Sequence, residues 1–152
     1  DCASLREELL IEYAKNSLVY GGAFPGISDV LDSLQKMNIP FGVVTNKPLI
    51  FAQPIMEKEP AFKNCQTLIC PDHLSAIKPN PEGILKGCKD LNIQPKECVY
   101  VGDHIKDLKA GLNAGTQVIA CYFGYSLEPS DHDSKILGAS HPRDLTALIQ
   151  GL

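Results

Sequence analysis

Apolar residues recur along this chain in short runs, separated by stretches whose apolar positions repeat at helical spacing. Leu5 to Leu18 places Leu5, Leu9, Leu10, Tyr13, Ala14 and Leu18 at that spacing, and the glycine-rich segment YGGAFPG breaks it. Ser28 is placed to cap a helix that buries Val30, Leu31, Leu34 and Met37, with Asn38 and Pro40 as its stop. Phe41 to Val44 then reads as a short buried strand and Phe51 to Lys58 as a helix with Pro54 near its start. Thr67 to Cys70 is a second strand, Pro81 to Leu91 a helix, and Cys98 to Val101 a third strand. Leu108 to Asn113 is helical, Val118 to Phe123 a fourth strand, and Asp144 to Ile149 a closing helix. The stretch from Ser126 to His141, rich in Ser, Asp and His, is expected to be a surface loop.

Short apolar strands alternating with amphipathic helices define an α/β chain with a parallel, Rossmann-like sheet covered on both faces. At 152 residues the chain has the size of one domain with a core of its own. The net charge of −4 argues against nucleic-acid or anionic-membrane partners recruited by charge. No apolar run is long enough to span a bilayer. Six cysteines lie scattered through apolar segments without a CxxC pair or a zinc-finger histidine, which predicts buried, reduced thiols in a cytoplasmic protein.

In an open parallel sheet, ligands bind beyond the carboxyl ends of the strands. Three such places carry chemistry. The first strand is followed by Thr45-Asn46-Lys47, the second, several residues on, by Lys78, and the third by Asp103 and Asp107. Taken singly, Thr45 or Asn46 is a turn residue, Lys78 a solvated lysine, Asp103 a helix cap and Asp107 a first-turn acid. Taken together they converge on one sheet edge. A hydroxyl among backbone N–H groups, a cation and two carboxylates are the parts of a site for a phosphate and a divalent metal. The glycines of GGAFPG have neither GxGxxG nor P-loop spacing, no HExxH occurs, and no GxSxG elbow or Cys/His pair supplies a nucleophile.

VVTNK (Val43 to Lys47), KPNP (Lys78 to Pro81) and VGDHIKDLKAGLNAG (Val101 to Gly115) resemble, in the same order, the second, third and fourth motifs of the haloacid dehalogenase superfamily. The likeness runs nearest to its phosphoglycolate phosphatase branch. FAQPIM, LICPDH and YFGYSLEPSD are also similar to a subgroup that includes N-acetylmuramic acid 6-phosphate phosphatases. The resemblance implies that Thr45 and the backbone around Asn46 hold phosphate oxygens and that Lys78 balances charge on nucleophile and phosphate. It implies that Asp103 ligates Mg²⁺ and that Asp107 holds the ion directly or through water, with His104 departing from the small or acidic residue usual there.

The family's nucleophile is an aspartate in a DxDGT-type motif on its first strand, forming an aspartyl-phosphate, and no such motif occurs in these residues. By the resemblance that strand lies at the centre of the sheet, between those ending in Thr45 and Asp103. The expectation is therefore an incomplete core over residues 21–152 lacking its central strand, preceded over residues 1–20 by the last part of a helical cap domain. The implied activity is a Mg²⁺-dependent phosphomonoester hydrolase acting on a small phosphorylated metabolite, with its nucleophile outside this chain and the chain alone nearly inactive. A missing N-terminal segment or a second chain would complete the sheet. A sugar phosphate, N-acetylmuramic acid 6-phosphate, is the alternative substrate, and a non-catalytic phosphate-binding or regulatory domain is the alternative of another class.

Overall fold

In the computed structural model, residues 5, 8, 9, 12, 13, 16, 21–131, 133 and 136–152 are described. Leu5, Glu8, Leu9, Glu12, Tyr13 and Asn16 are helical, as their spacing predicts; Leu10, Ala14 and Leu18 lie outside the described residues. The elements that follow are α1 (Ile27–Lys36), β1 (Val43–Val44), α2 (Leu49–Lys58), β2 (Leu68–Ile69), α3 (Glu82–Asp90), β3 (Val99–Gly102), α4 (Ile105–Ala114), β4 (Gln117–Cys121), β5 (Leu137–Ala139) and α5 (Asp144–Gln150).

The strand β4 shows why the molecule has layers. Its last four residues are all buried, because successive side chains enter opposite cores. Ile119 and Cys121 pack with Val30 of α1, Ala139 of β5 and Leu145 of α5. Val118 and Ala120 pack on the other face with Leu108 of α4, Leu127 and Ile136. A third cluster joins Ile84 and Cys88 of α3 to Ala110 and Ala114 of α4, with Val44 and Tyr100 against it. Helices therefore cover both faces, as the alternation of elements predicts.

Every strand pairing is parallel, but the strands form two separate sheets: β1 with β2, and β3 with β4 and β5. Within β1, the N–H groups of Val43 and Thr45 donate to Thr67 and Ile69 of the β2 segment, each at 2.9 Å. The alternation of a strand then turns the N–H and C=O of Val44 the other way. Within β3, the Cys98 carbonyl accepts from Gln117 at 3.0 Å. The same alternation turns the N–H and C=O of Val99 and Val101 toward β1. Between these two edges lies a cleft of about 390 Å³ whose walls include Val44, Ile84, Cys88, Val99, Tyr100 and Ile149. Burial, reinforced by the neighbouring Cys88 thiol, pushes the Cys98 thiol on this wall up to about 12.

Helices α1, α3 and α4 end in the same way, with a left-handed residue that closes the last turn. Asn38 (φ 57°), Asn92 (φ 55°) and Gly115 (φ 77°) hold that position. The residue after each, Ile39, Ile93 or Thr116, donates back to Leu34, Cys88 or Gly111 at 2.9 to 3.1 Å. The expected stop at Asn38 is thus a backbone motif. At its other end α1 departs from expectation: Gly26, not Ser28, is the N-cap, and no side chain caps the helix. The strand expected from Phe41 pairs as a strand only at Val43–Val44, and that expected from Thr67 only at Leu68–Ile69. Helix α4 begins three residues before Leu108, at Ile105, because His104 caps it. The cap expected of Asp103 is therefore made by its neighbour.

The largest correction concerns the expected surface loop from Ser126 to His141. It contains β5, which pairs with β4 through Ile119↔Leu137, Ala120↔Gly138 and Cys121↔Ala139. It also contributes the buried Leu127, Ile136 and Ala139. Three residues are too few to show an alternation, so polar flanks conceal an edge strand that only its parallel partner reveals. Ala139→Leu tests this placement. Inside the core it should destabilise the protein by about 1–3 kcal/mol through overpacking. Urea denaturation measures the change, and an unchanged midpoint would return this segment to the surface.

Candidate functional site

Beyond the carboxyl ends of β1 and β3, hydrogen bonds join Asn46, Lys78 and Asp107, while Thr45 directly follows β1 and Asp103 directly follows β3 without a bond to the other three. Thr45 leaves β1 in a tight turn in which its Oγ accepts the Lys47 N–H at 3.1 Å, so the hydroxyl proton stays available to an incoming acceptor. Asn46 binds the chain at Lys78 reciprocally: its Nδ2 donates to the Lys78 carbonyl and its Oδ1 accepts the Lys78 N–H, each at 3.1 Å. The Asn46 side chain thus positions the loop that carries the lysine. Glu82 steadies that loop from α3 by accepting the N–H groups of Ser75 and Ala76, both at 2.9 Å.

Lys78 reaches back over the cleft. Its Nζ donates to the Val44 carbonyl at 2.9 Å, to the Tyr100 hydroxyl at 3.1 Å and to Asp107 Oδ1 at 2.6 Å. The ammonium and the carboxylate are only 13% and 11% exposed. An ammonium has three protons, and three acceptors lie within reach. The Tyr100 hydroxyl in turn donates to the Val44 carbonyl at 3.3 Å. Burial first, and then the charge of Asp107, push the Tyr100 phenol well above its ordinary range, so it remains a neutral hydroxyl.

Asp103 and Asp107 follow β3 in the manner of a strand-end acidic pair. The Tyr125 N–H donates to Asp103 Oδ2 at 2.9 Å. The His104 N–H donates to Asp107 Oδ2 at 3.1 Å, while His104 Nδ1 accepts from the Lys106 N–H at 3.0 Å. Two glycines make room for these carboxylates. A Cβ on Gly124 would lie 2.2 Å from the Asp103 Cβ, and one on Gly102 would lie 2.3 Å from the Asp107 Cβ. Both charges act on one thiol: burial, then Asp103 and Asp107, push Cys121 up to about 12.

The donor set can be compared with what a hard divalent cation needs. Mg²⁺ takes oxygen ligands and commonly uses one or two carboxylates, completing its shell with water and phosphate oxygens. Asp103 has its Oδ2 engaged by a single backbone N–H, whereas both oxygens of Asp107 are engaged, by Lys78 and His104. Among the described residues no group of three or more His, Cys, Asp or Glu side chains could hold a metal. Asp103 is therefore the carboxylate with an oxygen left to hold a hard cation such as Mg²⁺, whereas Asp107 is committed to Lys78 and His104.

Comparison with known proteins shows the family. The family model described as haloacid dehalogenase-like hydrolase matches residues 2–121, and the chain belongs to that family. It is 38% identical over 150 residues to an N-acetylmuramic acid 6-phosphate phosphatase of Pseudomonas putida, covering 96% of this chain and 66% of that protein. It is 33% identical over 133 residues to a phosphoglycolate phosphatase of Xanthomonas campestris, covering 85% of this chain and 60% of that protein. The chain thus spans less than two thirds of the length of these relatives. Among solved structures, a HAD hydrolase of family IA, variant 3, from Entamoeba histolytica superposes with a TM-score of 0.82 at 20% identity, over 97% of this chain and 70% of that one. At that identity the likeness concerns the fold.

Sequence reasoning overlooked Tyr100, Glu82, Gly124 and the capping role of His104. Of these only Glu82 had a visible signal, an acid in the first turn of a helix just after the KPNP segment. The ion pair at the centre is directly testable. Lys78→Met leaves the Asp107 carboxylate buried without its cation and should cost about 3–5 kcal/mol of stability. The double variant Lys78→Met/Asp107→Leu should recover part of that loss in a denaturation cycle. Strict additivity would mean that the two groups do not interact.

Proposed function

We propose that this chain carries the phosphate and metal sites of a Mg²⁺-dependent phosphomonoester hydrolase of the phosphoglycolate phosphatase type. Its substrate is a small phosphorylated metabolite, and the reaction passes through an aspartyl-phosphate whose carboxylate comes from outside these residues. One observation carries the reading. The Lys78 ammonium joins Val44 and Tyr100, which line the cleft between the two sheets, to the Asp107 carboxylate, while Thr45 directly follows β1 and Asp103 directly follows β3.

The roles are those the family resemblance implies, and the contacts of Lys78 with Val44, Tyr100 and Asp107 support them. Thr45 donates its hydroxyl proton to a phosphate oxygen, and the backbone N–H groups around Asn46 add to that cradle. Lys78 balances the negative charge shared by the attacking carboxylate and the phosphoryl group. Asp103 would hold Mg²⁺, with Asp107 directly or through water, and the ion would supply neutralisation of phosphate charge. Residues 1–20 then belong to a helical cap and residues 21–152 to the core. The second reading, hydrolysis of N-acetylmuramic acid 6-phosphate, is favoured by 38% identity to the relative with that name, against 33% to the phosphoglycolate phosphatase.

A strand in the cleft would pair with the inward-facing N–H of Val44 and the inward-facing groups of Val99 and Val101, and set its own carboxylate beside Lys78. Buried backbone groups are nearly always satisfied, so such a strand should raise stability as well as activity. The test is Mg²⁺-dependent phosphate release and thermal melting of residues 1–152, with and without a peptide carrying an apolar strand that ends in DxD. The chain alone should show background hydrolysis, and the peptide should raise both quantities. Robust turnover without the peptide would place the nucleophile within this chain and overturn the proposal. In the complemented protein, Lys78→Ala should lower kcat by at least about 10²-fold, the scale of losing a preorganised donor.

A further inference from the structure

Asp103 directly follows β3, and the parallel register Gly102↔Ala120 sets the chain leaving β4 beside it. That chain turns at once. The Gly124 N–H donates to the Cys121 carbonyl at 3.4 Å, which ties the turn to the buried end of β4. The turn backbone lies directly against the Asp103 carboxylate. A Cβ on Gly124 would stand 2.4 Å from Oδ2 and 2.7 Å from Cγ, closer than a side chain can approach. The Tyr125 N–H donates to the same Oδ2 at 2.9 Å, while the Tyr125 side chain is 88% exposed. Tyr125 therefore holds Asp103 through its backbone. A missing side chain and a donated N–H, on adjacent residues, act together on one oxygen and leave Oδ1 to another ligand.

We infer that the Gly124–Tyr125 turn positions the metal ligand Asp103, fixing the rotation of its carboxylate so that Oδ1 remains the oxygen that takes a divalent cation. The inference rests on the reading of Asp103 as a metal ligand. A carboxylate that rotates freely gives up that freedom when it binds, and one already held does not. The hydrogen-bonded partners of a ligating carboxylate are for this reason part of its affinity. Gly124 and the Tyr125 N–H hold no ligand themselves and act through Asp103.

Mn²⁺, a paramagnetic substitute for Mg²⁺, tests this when titrated into residues 1–152. The dissociation constant is read from water-proton relaxation and from broadening of the Gly102 and His104 amide resonances, with thermal melting alongside. Gly124→Ala and Tyr125→Pro should each weaken binding about 10- to 100-fold, the range for losing a partner of a metal ligand. Asp103→Asn should weaken it at least as much. Tyr125→Ala keeps the N–H and should keep the wild-type constant. Gly42→Ala, whose Cβ would meet Thr67 Cγ2 at 2.4 Å beyond the amino end of β1, should lower the melting temperature and leave the constant unchanged. In the metal-free wild type the Tyr125 amide should already be protected from hydrogen exchange. Fast exchange there overturns the inference, whether or not the variants fold. Unchanged affinity in folded Gly124→Ala or Tyr125→Pro also overturns it, as does an equal loss in Tyr125→Ala or Gly42→Ala. Each of these results spares the metal site so long as Asp103→Asn weakens binding. Binding that is absent, or indifferent to Asp103→Asn, overturns both.

Discussion

The three-way contact of the Lys78 ammonium is the interaction on which the site depends. It joins the Val44 carbonyl at the end of β1, the Tyr100 hydroxyl on β3 and the Asp107 carboxylate at the start of α4. These groups belong to opposite sides of a divided sheet, so one buried cation spans the division. A lysine head desolvated to this degree is tolerable only where its protons and its charge are both matched. The carboxylate supplies the charge, and the carbonyl and phenol supply the remaining acceptors. All three protons are engaged, so any further anion at this point must take the place of an existing partner.

The surroundings of Lys78 make sense as support for that position. Asn46 pins the lysine's own backbone, and Glu82 braces the turn ahead of it, so the ammonium enters from a loop with little freedom. Gly102 and Gly124 leave space in which the two carboxylates can stand against the end of the strand. Burial first, and then the charges of Asp103 and Asp107, keep the Cys121 thiol neutral. A site of this kind suits phosphoryl transfer, where the protein's contribution is mainly positioning and charge stabilisation.

Much of this was legible from the chain, for definite reasons. The parallel α/β order follows from apolar runs alternating with helical periodicity, a pattern that burial on both faces imposes. Thr45, Lys78, Asp103 and Asp107 were singled out because residues following parallel strands share one edge by construction. The divided sheet could be anticipated only through the family resemblance, since no local pattern in β1 or β3 signals an absent neighbour. Residues whose role depends on distant partners stayed hidden. Tyr100 looks like any strand aromatic until Val44 and Lys78 are placed beside it. Ile136 to Ala139 looks like part of a polar loop until β4 offers an edge. Conversely, Ser28 satisfied a local capping preference that the chain does not use, because the turn at Gly26 starts the helix sooner.

The central claim is that the sheet is divided and that the facing edges of β1 and β3 await a strand. Amide hydrogen exchange along β3 tests it residue by residue. Tyr100 and Gly102 direct their N–H groups at β4, whereas Val99 and Val101 direct theirs into the cleft. The account predicts alternating protection in the 152-residue chain, slow exchange at Tyr100 and Gly102 and fast exchange at Val99 and Val101. A strand-bearing peptide should then slow the fast pair. Uniform slow exchange along β3 without the peptide would show that both edges are already paired, and would contradict the account.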